Sequence, residues 1–345
     1  MIVFFIAIVI GKETMSSDEF YKSYFIVPLY NVSVNENIIN EDLNGYKIVT
    51  NDFIFQNLDG KLFNSEDLYE DIKKTCAGML YKRPLARYVL IKELDLFQGY
   101  DKEISDRNQS IRDNIAEDFS FLLTAMRLKY TGNIQVNRVY ALADKEHCSF
   151  NLPLSTELSF IDRVFYIDTK MFWWDEYELS LDMWKNIWEY KNKISESASA
   201  LWLPISYFMS YYSVVNLTEK IIKLCTVWET TLLNDRKSEL QYCLMVRGSS
   251  LLKKDLSLIF KTAYDLRSQL LHSGNVTNFS LLRKVISDST KNDNERLFLF
   301  IKEYMEPITR EILEKFIKNY LETQKSLEKI AQSLDKSVFQ KLAEK

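Results

Sequence analysis

Tyr264-Asp265-Leu266-Arg267-Ser268-Gln269-Leu270-Leu271-His272-Ser273-Gly274 closes the stretch that decides how this chain is read. Upstream of it, Leu256, Ile259, Phe260, Ala263, Leu266 and Leu270 recur at the three- and four-residue steps of one helix face. Gly274 stands where a left-handed C-terminal cap would end that helix. The helix therefore carries Arg267 and His272 close to its end, and a small-residue stop follows them.

The same period extends outward in both directions. Leu217, Ile221, Leu224, Cys225, Trp228, Leu232 and Leu233 fit one helix face, with Asn216 as its cap. A shorter helix is expected around Glu239–Leu252. Further upstream, Leu181, Trp184, Ile187, Trp188 and Ile194 share a face. Downstream, the stretch from Glu295 to the end keeps the period, closing with Leu327, Ile330, Leu334, Val338 and Leu342. Its polar face is mixed in sign, which suits a packing or partner helix better than a membrane anchor.

Before Asp168 the pattern changes. Runs rich in β-branched and aromatic residues predict strands at Tyr24–Val32, Tyr46–Val49, Ala86–Leu94, Ile134–Ala141 and Val164–Ile167. Between them, Glu103–Leu128 has helical spacing. The expected fold class is thus α+β, with a mixed α/β domain over residues 1–175 and an all-helical domain over 176–345. The boundary is the change of period near residue 170.

Composition narrows the function classes. With 47% hydrophobic and 27% charged residues the chain has ample material for a core. All Trp residues lie between Trp173 and Trp228, which reads as a packed centre rather than a platform for stacking bases. The net charge of −4 excludes a general electrostatic grip on nucleic acid, so any RNA contact is local. From Leu217 to Gly274 nine Lys and Arg stand against six Asp and Glu, a local excess that permits such contact.

Cys76, Cys148, Cys225 and Cys243 show no C-x-x-C pairing, as expected of reduced thiols in a cytoplasmic protein. The two histidines, His147 and His272, cannot supply a zinc set, so no metal and no cofactor is expected; a site of carboxylates alone stays open. His147 reads as a loop or strand-edge residue. No phosphate loop, nucleophile elbow or dinucleotide fingerprint occurs in the first half.

Met1 to Ile10 is apolar but too short to span a membrane, and it lacks the flanks of a signal peptide. It reads as a buried first strand or as sequence ahead of a native start at Met15. Gly11-Lys12-Glu13-Thr14 can be encoded by a purine-rich stretch like a bacterial ribosome-binding site. An intact mass of natively expressed protein beginning at Met1 would dispose of the second reading. No membrane association is expected.

Arg267 and His272 form an R-x4-H pattern whose chemistry can be argued directly. Cutting RNA without metal needs a proton acceptor for the 2′-hydroxyl, a proton donor for the leaving oxygen and positive charge on the phosphate. Histidine serves in proton transfer near neutral pH. Arginine stays charged and grips two phosphate oxygens through its planar fork. Taken alone, the same residues also read as a surface ion-pair partner and a helix-terminal histidine bonded to free carbonyls.

Three ordered motifs raise the catalytic reading. Val227-Trp228-Glu229-Thr230-Thr231-Leu232-Leu233, then Val246-Arg247-Gly248-Ser249-Ser250-Leu251-Leu252, then Tyr264 to Gly274 resemble the ApeA-like branch of HEPN domains. That branch has A-L-E-A-L-like and R-A-x-L-L-like helix centres followed by a Y-D-L-R-S-x-x-x-H-G-like helix end. Tyr207-Phe208-Met209-Ser210-Tyr211-Tyr212 is similar to its aromatic helix. Pro28-Leu29-Tyr30-Asn31 and Gly45-Tyr46-Lys47-Ile48 more loosely resemble the region ahead of such domains. Two positions depart from the pattern: Ser273 displaces the glycine by one, and Val227-Trp228 replaces Ala-Leu.

The resemblance implies a helical HEPN bundle and a metal-independent endoribonuclease of the defence or toxin type, with RNA as substrate and Arg267 and His272 catalytic. The alternative is a non-catalytic HEPN module that binds nucleotide, RNA or a protein partner. A third system, a toxin silenced by nucleotidyl transfer to tyrosine, resembles R-x4-6-H-x-Y, and Gly274 occupies the tyrosine's place. Five residues set the two side chains roughly 140° apart and about 7.5 Å along an ideal helix. HEPN enzymes meet this by pairing two chains, so a homodimer around this helix is expected. Glu229 reads as a carboxylate orienting Arg267 or Arg247, or as half of a structural ion pair. Arg247 reads chiefly as an anchor of the fold, and Ser268 as a phosphate-positioning or solvated serine. By family analogy, the N-terminal domain senses a regulatory ligand or trigger, or restrains the nuclease.

Overall fold

The computed structural model describes residues 20–50, 87–97, 102–132, 134–136, 140–143, 176–214, 216–236 and 238–343. Met1–Ile10, Met15, Cys76, His147, Cys148, the strand expected at Val164–Ile167, the change of period near residue 170 and Trp173 lie outside them.

The architecture is α+β. Strands β1 (Phe20–Tyr30), β2 (Val32–Val34), β3 (Tyr46–Thr50), β4 (Tyr88–Phe97), β5 (Gln135–Val136), β6 (Tyr140–Ala143) and β7 (Tyr177–Leu179) precede the helical region. The main sheet is antiparallel in the order β3-β4-β1-β5, and β6 also pairs with β1. Its centre is the β1–β4 ladder, in register from Phe20 opposite Phe97 to Leu29 opposite Tyr88. Phe25, Val27 and Leu29 alternate onto the face that joins the main core.

The single strand expected over Tyr24–Val32 is broken at Asn31. That residue takes a left-handed φ of 57°, which asparagine tolerates better than most side chains. The turn releases β2 from the main sheet to pair in parallel with β7, Val32 opposite Tyr177.

Helix α1 (Lys102–Lys129) lies on the sheet through Phe119, Leu122, Leu123 and Met126, with the Phe119 ring edge-on to Phe25 at 5.7 Å. Helix α2 (Leu181–Ser213) starts at Ser180, whose hydroxyl accepts from the Met183 amide at 3.3 Å. The expected aromatic segment Tyr207–Tyr212 is the end of this one helix. Helices α3 (Leu217–Leu232), α4 (Leu240–Leu252), α5 (Ser257–Ser273), α6 (Ser280–Val285), α7 (Asp293–Phe300), α8 (Glu306–Thr323) and α9 (Leu327–Ala343) follow.

Two features interrupt the C-terminal stretch that the period alone joins together. Ile301–Met305 is a π turn between α7 and α8, where the Glu306 amide reaches back to the Ile301 carbonyl. Pro307, which has no N–H to give, follows at once and is accommodated by the wider turn. Gln324 then takes a φ of 53° and ends α8.

Buried residues of one face of the sheet and of the helices form one continuous cluster, while Ile26, Val49, Val89 and Leu96 are buried outside it. Trp228 on α3 sits at its helical centre, edge-on to Phe260 of α5 at 4.9 Å and donating from Nε1 to Thr309 Oγ1 of α8 at 2.8 Å. Trp184 is buried as well, whereas Trp202 is 48% exposed and departs from the expected packed tryptophan centre. Among the described residues no helix is long and apolar enough to cross a membrane.

Candidate active site on helix α5

Helix α5 begins at Ser257 and remains helical through Ser273. Gly274 closes it with a φ of 68°, its amide bonded to the Leu270 carbonyl at 2.9 Å. The left-handed stop expected from the sequence is therefore present. Because the helix is regular across this span, Arg267 and His272 keep the angular separation that their spacing dictates.

Arg267 points toward α3. Its Nη2 donates to Glu229 Oε2 at 2.9 Å, and both side chains are mostly covered. The contact belongs to a stripe along which the two helices face each other. One turn earlier on each helix, the Cys225 thiol lies 3.6 Å from the Ala263 carbonyl. Burial pushes that thiol well above its ordinary range, with the Glu229 charge adding to the effect, so Cys225 is a packed group and not a nucleophile. Burial likewise raises the Glu229 carboxyl, against the pull of Arg267.

The pair is not saturated. Glu229 Oε1 and Arg267 Nε are buried and have no hydrogen-bond partner among the described residues. An open Nε recurs at Arg112, Arg296 and Arg310, but Glu229 Oε1 is the one buried carboxylate oxygen so left among the described residues, and such an oxygen suits a site that meets water, substrate or a second chain.

His272 occupies the last turn of α5 and is exposed, beside Leu271 at 51% exposure. The loop that follows is fastened by Gln269. Its Oε1 accepts from the amides of Thr277 at 3.0 Å and Asn278 at 2.9 Å, while Nε2 donates to Asp265 at 2.9 Å and to the Asn278 carbonyl at 3.1 Å. Ser273 adds bonds to the Gln269 and Asn275 carbonyls, both at 2.7 Å. The end of α5 is thus a held platform, and the imidazole stands on it in solvent. Gln269 lies within the quoted motif, but its loop-binding role has no marker in the sequence.

No family model, no curated protein and no solved structure matches this chain.

Arg247 stands apart from the Arg267–Glu229 pair. It is fully buried on α4, where Nη1 and Nη2 grip Asp235 at 2.6 and 3.1 Å, and Nε and Nη2 grip Asp335 of α9 at 2.8 and 2.7 Å. Nη1 also donates to the Leu232 carbonyl at the end of α3 at 2.6 Å. This guanidinium joins α3, α4 and α9 and has no face left for substrate. Side-chain bonds to Arg247 hold the carboxyls of Asp235 and Asp335 below the ordinary range. Ser268 is half-buried beside Arg267 on α5. Among the described residues no cluster of His, Cys, Asp and Glu could hold a metal ion.

Proposed function

We propose that this chain is a metal-independent endoribonuclease of the HEPN type, a cytoplasmic defence or toxin effector that cuts RNA as a homodimer. The observation that carries the reading is the division of roles on one helix. Arg267 is oriented from α3 by Glu229 at 2.9 Å, while His272 stands exposed at the helix end. The two side chains diverge, so a complete site needs a second α5 brought alongside by symmetry, and the exposed Leu271 supplies apolar surface for that contact.

In the combined cleft an imidazole takes the proton of a ribose 2′-hydroxyl as its oxygen attacks phosphorus. The bond from phosphorus to the 5′-oxygen breaks, a protonated imidazole returns a proton to that oxygen, and a 2′,3′-cyclic phosphate is left. Arg267 holds the charge that builds on the phosphate oxygens. Glu229 acts as a positioning residue, keeping the guanidinium against α3.

One observation favours the second reading, a HEPN module that binds RNA, nucleotide or protein without cutting it. Arg267 is already neutralised by Glu229, and an arginine so paired grips a phosphate less strongly. Expression in cells separates the two. An effector is toxic, and His272→Ala relieves the toxicity while the protein stays folded. A binding module shows no such dependence on His272.

A further inference from the structure

A second cleft of about 370 Å³ opens where α1 ends against α2, lined by Lys129, Tyr130, Asn186, Glu189, Tyr190 and Lys193. Its volume falls in the range of small-ligand sites, roughly 300–1,000 Å³. Several of its groups are already fixed. Asn186 Nδ2 donates to the Tyr130 hydroxyl at 3.1 Å, which leaves the hydroxyl proton free to donate onward. Behind it, the Tyr130 carbonyl accepts from Arg310 on α8, and Lys129 Nζ bonds Glu314 of the same helix at 3.1 Å.

Two groups are left without partners. Tyr190 is 7% exposed, and its hydroxyl has no hydrogen-bond partner among the described residues. Burial, with the Glu314 charge beside it, raises the phenol and keeps it protonated, so it is a donor in want of an acceptor. Lys129 Nζ covers its ring at 4.7 Å from the centroid. Lys193, exposed at the rim, has no carboxylate within ion-pair distance among the described residues. An enclosed hydroxyl without a partner costs stability unless something completes it.

We propose that this cleft binds a small phosphorylated molecule, its phosphate taken by Lys193 and Lys129 and its hydroxyl or amino groups facing Glu189. Lys129 is shared with Glu314 at 3.1 Å, so the phosphate takes a remaining N–H of its ammonium, while the Tyr190 hydroxyl donates to a phosphate oxygen. The lone carboxylate in the lining, Glu189, accepts from the polar body of the ligand and disfavours a ligand that is anionic throughout. The site stands independently of whether α5 cuts RNA.

The test is isothermal titration of the full chain with pyrophosphate and with adenosine monophosphate, with adenosine as the uncharged control. Saturable binding of adenosine monophosphate is expected, and none of adenosine. Lys193→Ala should weaken it roughly tenfold, the scale of one charge-assisted hydrogen bond. Tyr190→Phe should weaken it several-fold while the ligand-free melting temperature stays equal or rises, because the hydroxyl it removes has no partner to lose. A purely structural tyrosine would leave binding unchanged. No saturable binding of either phosphate compound at millimolar concentration overturns the proposal, as does binding that both substitutions leave intact.

Discussion

Arg267 and Glu229 meet across the α3–α5 contact at 2.9 Å, yet Arg267 Nε and Glu229 Oε1 each stay buried without a hydrogen-bond partner among the described residues. A purely structural ion pair at this depth would gain by closing those positions, since a charge taken out of water is expensive unless its remaining capacity is met. Glu229 Oε1 is the one buried carboxylate oxygen left open among the described residues, which sets this pair apart from the closed Arg247 clamp.

The Glu229 titration has a definite sign. Burial raises its folded pKa above the unfolded value despite Arg267, so the folded protein holds that proton more tightly. Such a group contributes stability below the unfolded value, near 4.3, and that contribution is lost as pH rises through the folded one. Glu229→Gln, which cannot ionise, should therefore gain stability relative to wild type as pH climbs from the acid range to neutrality. Urea melts of both proteins across that range measure the difference; a wild type that gains on the variant would show the Arg267 attraction outweighing burial.

Arg247→Met should be strongly destabilising, by about 3 kcal/mol at neutral pH, because it takes the guanidinium from Asp235 and leaves Asp335 with Arg236 alone, at 2.6 Å. Asp235 and Asp335 are held below their ordinary range by Arg247, so they contribute stability above the unfolded value that is lost as pH falls through the folded ones. The gap between wild type and variant in denaturant melts should accordingly narrow in acid. A gap independent of pH would contradict this account of the clamp.

Gly248 and Gly274 should both lose stability on substitution by alanine, for different physical reasons. A Cβ on Gly248 would stand 2.3 Å from two ring carbons of Phe260, so α4 and α5 must separate, at a cost of roughly 1–3 kcal/mol. At Gly274 nothing lies within 4 Å, and only the left-handed φ of 68° resists a side chain, at about 1–2 kcal/mol. Thermal melts give both costs. Gly248→Ala should also impair any activity that depends on Arg267, since it displaces the helix that carries it.

Much of the helical region was legible because its signals are local. The Asn216 cap accepts from Thr218 as expected at 2.9 Å, and Gly274 stops α5 where a small residue was needed. Short or long-range features were not. Helix α6 has six residues, too few to show a period. Asn31 looks like an ordinary strand residue until its φ breaks β1 from β2. The site was legible as residue types but not as partners: Glu229 was open between Arg267 and Arg247, and only the packing of α3 on α5 pairs it with Arg267. Asp335, the partner that occupies Arg247, lies 88 residues away with no motif to announce it.

The central claim is tested most directly by incubating a mixed RNA pool with purified wild type, Arg267→Ala and His272→Ala in excess EDTA, with oligomeric state measured alongside. His272 is exposed, so its alanine variant should melt within about 0.5 kcal/mol of wild type, and lost activity would not reflect lost folding. The expected result is cleavage by a dimeric wild type in EDTA, abolished by either substitution. Cleavage that survives both substitutions, or that stops when EDTA is added, would contradict a metal-independent site built on Arg267 and His272.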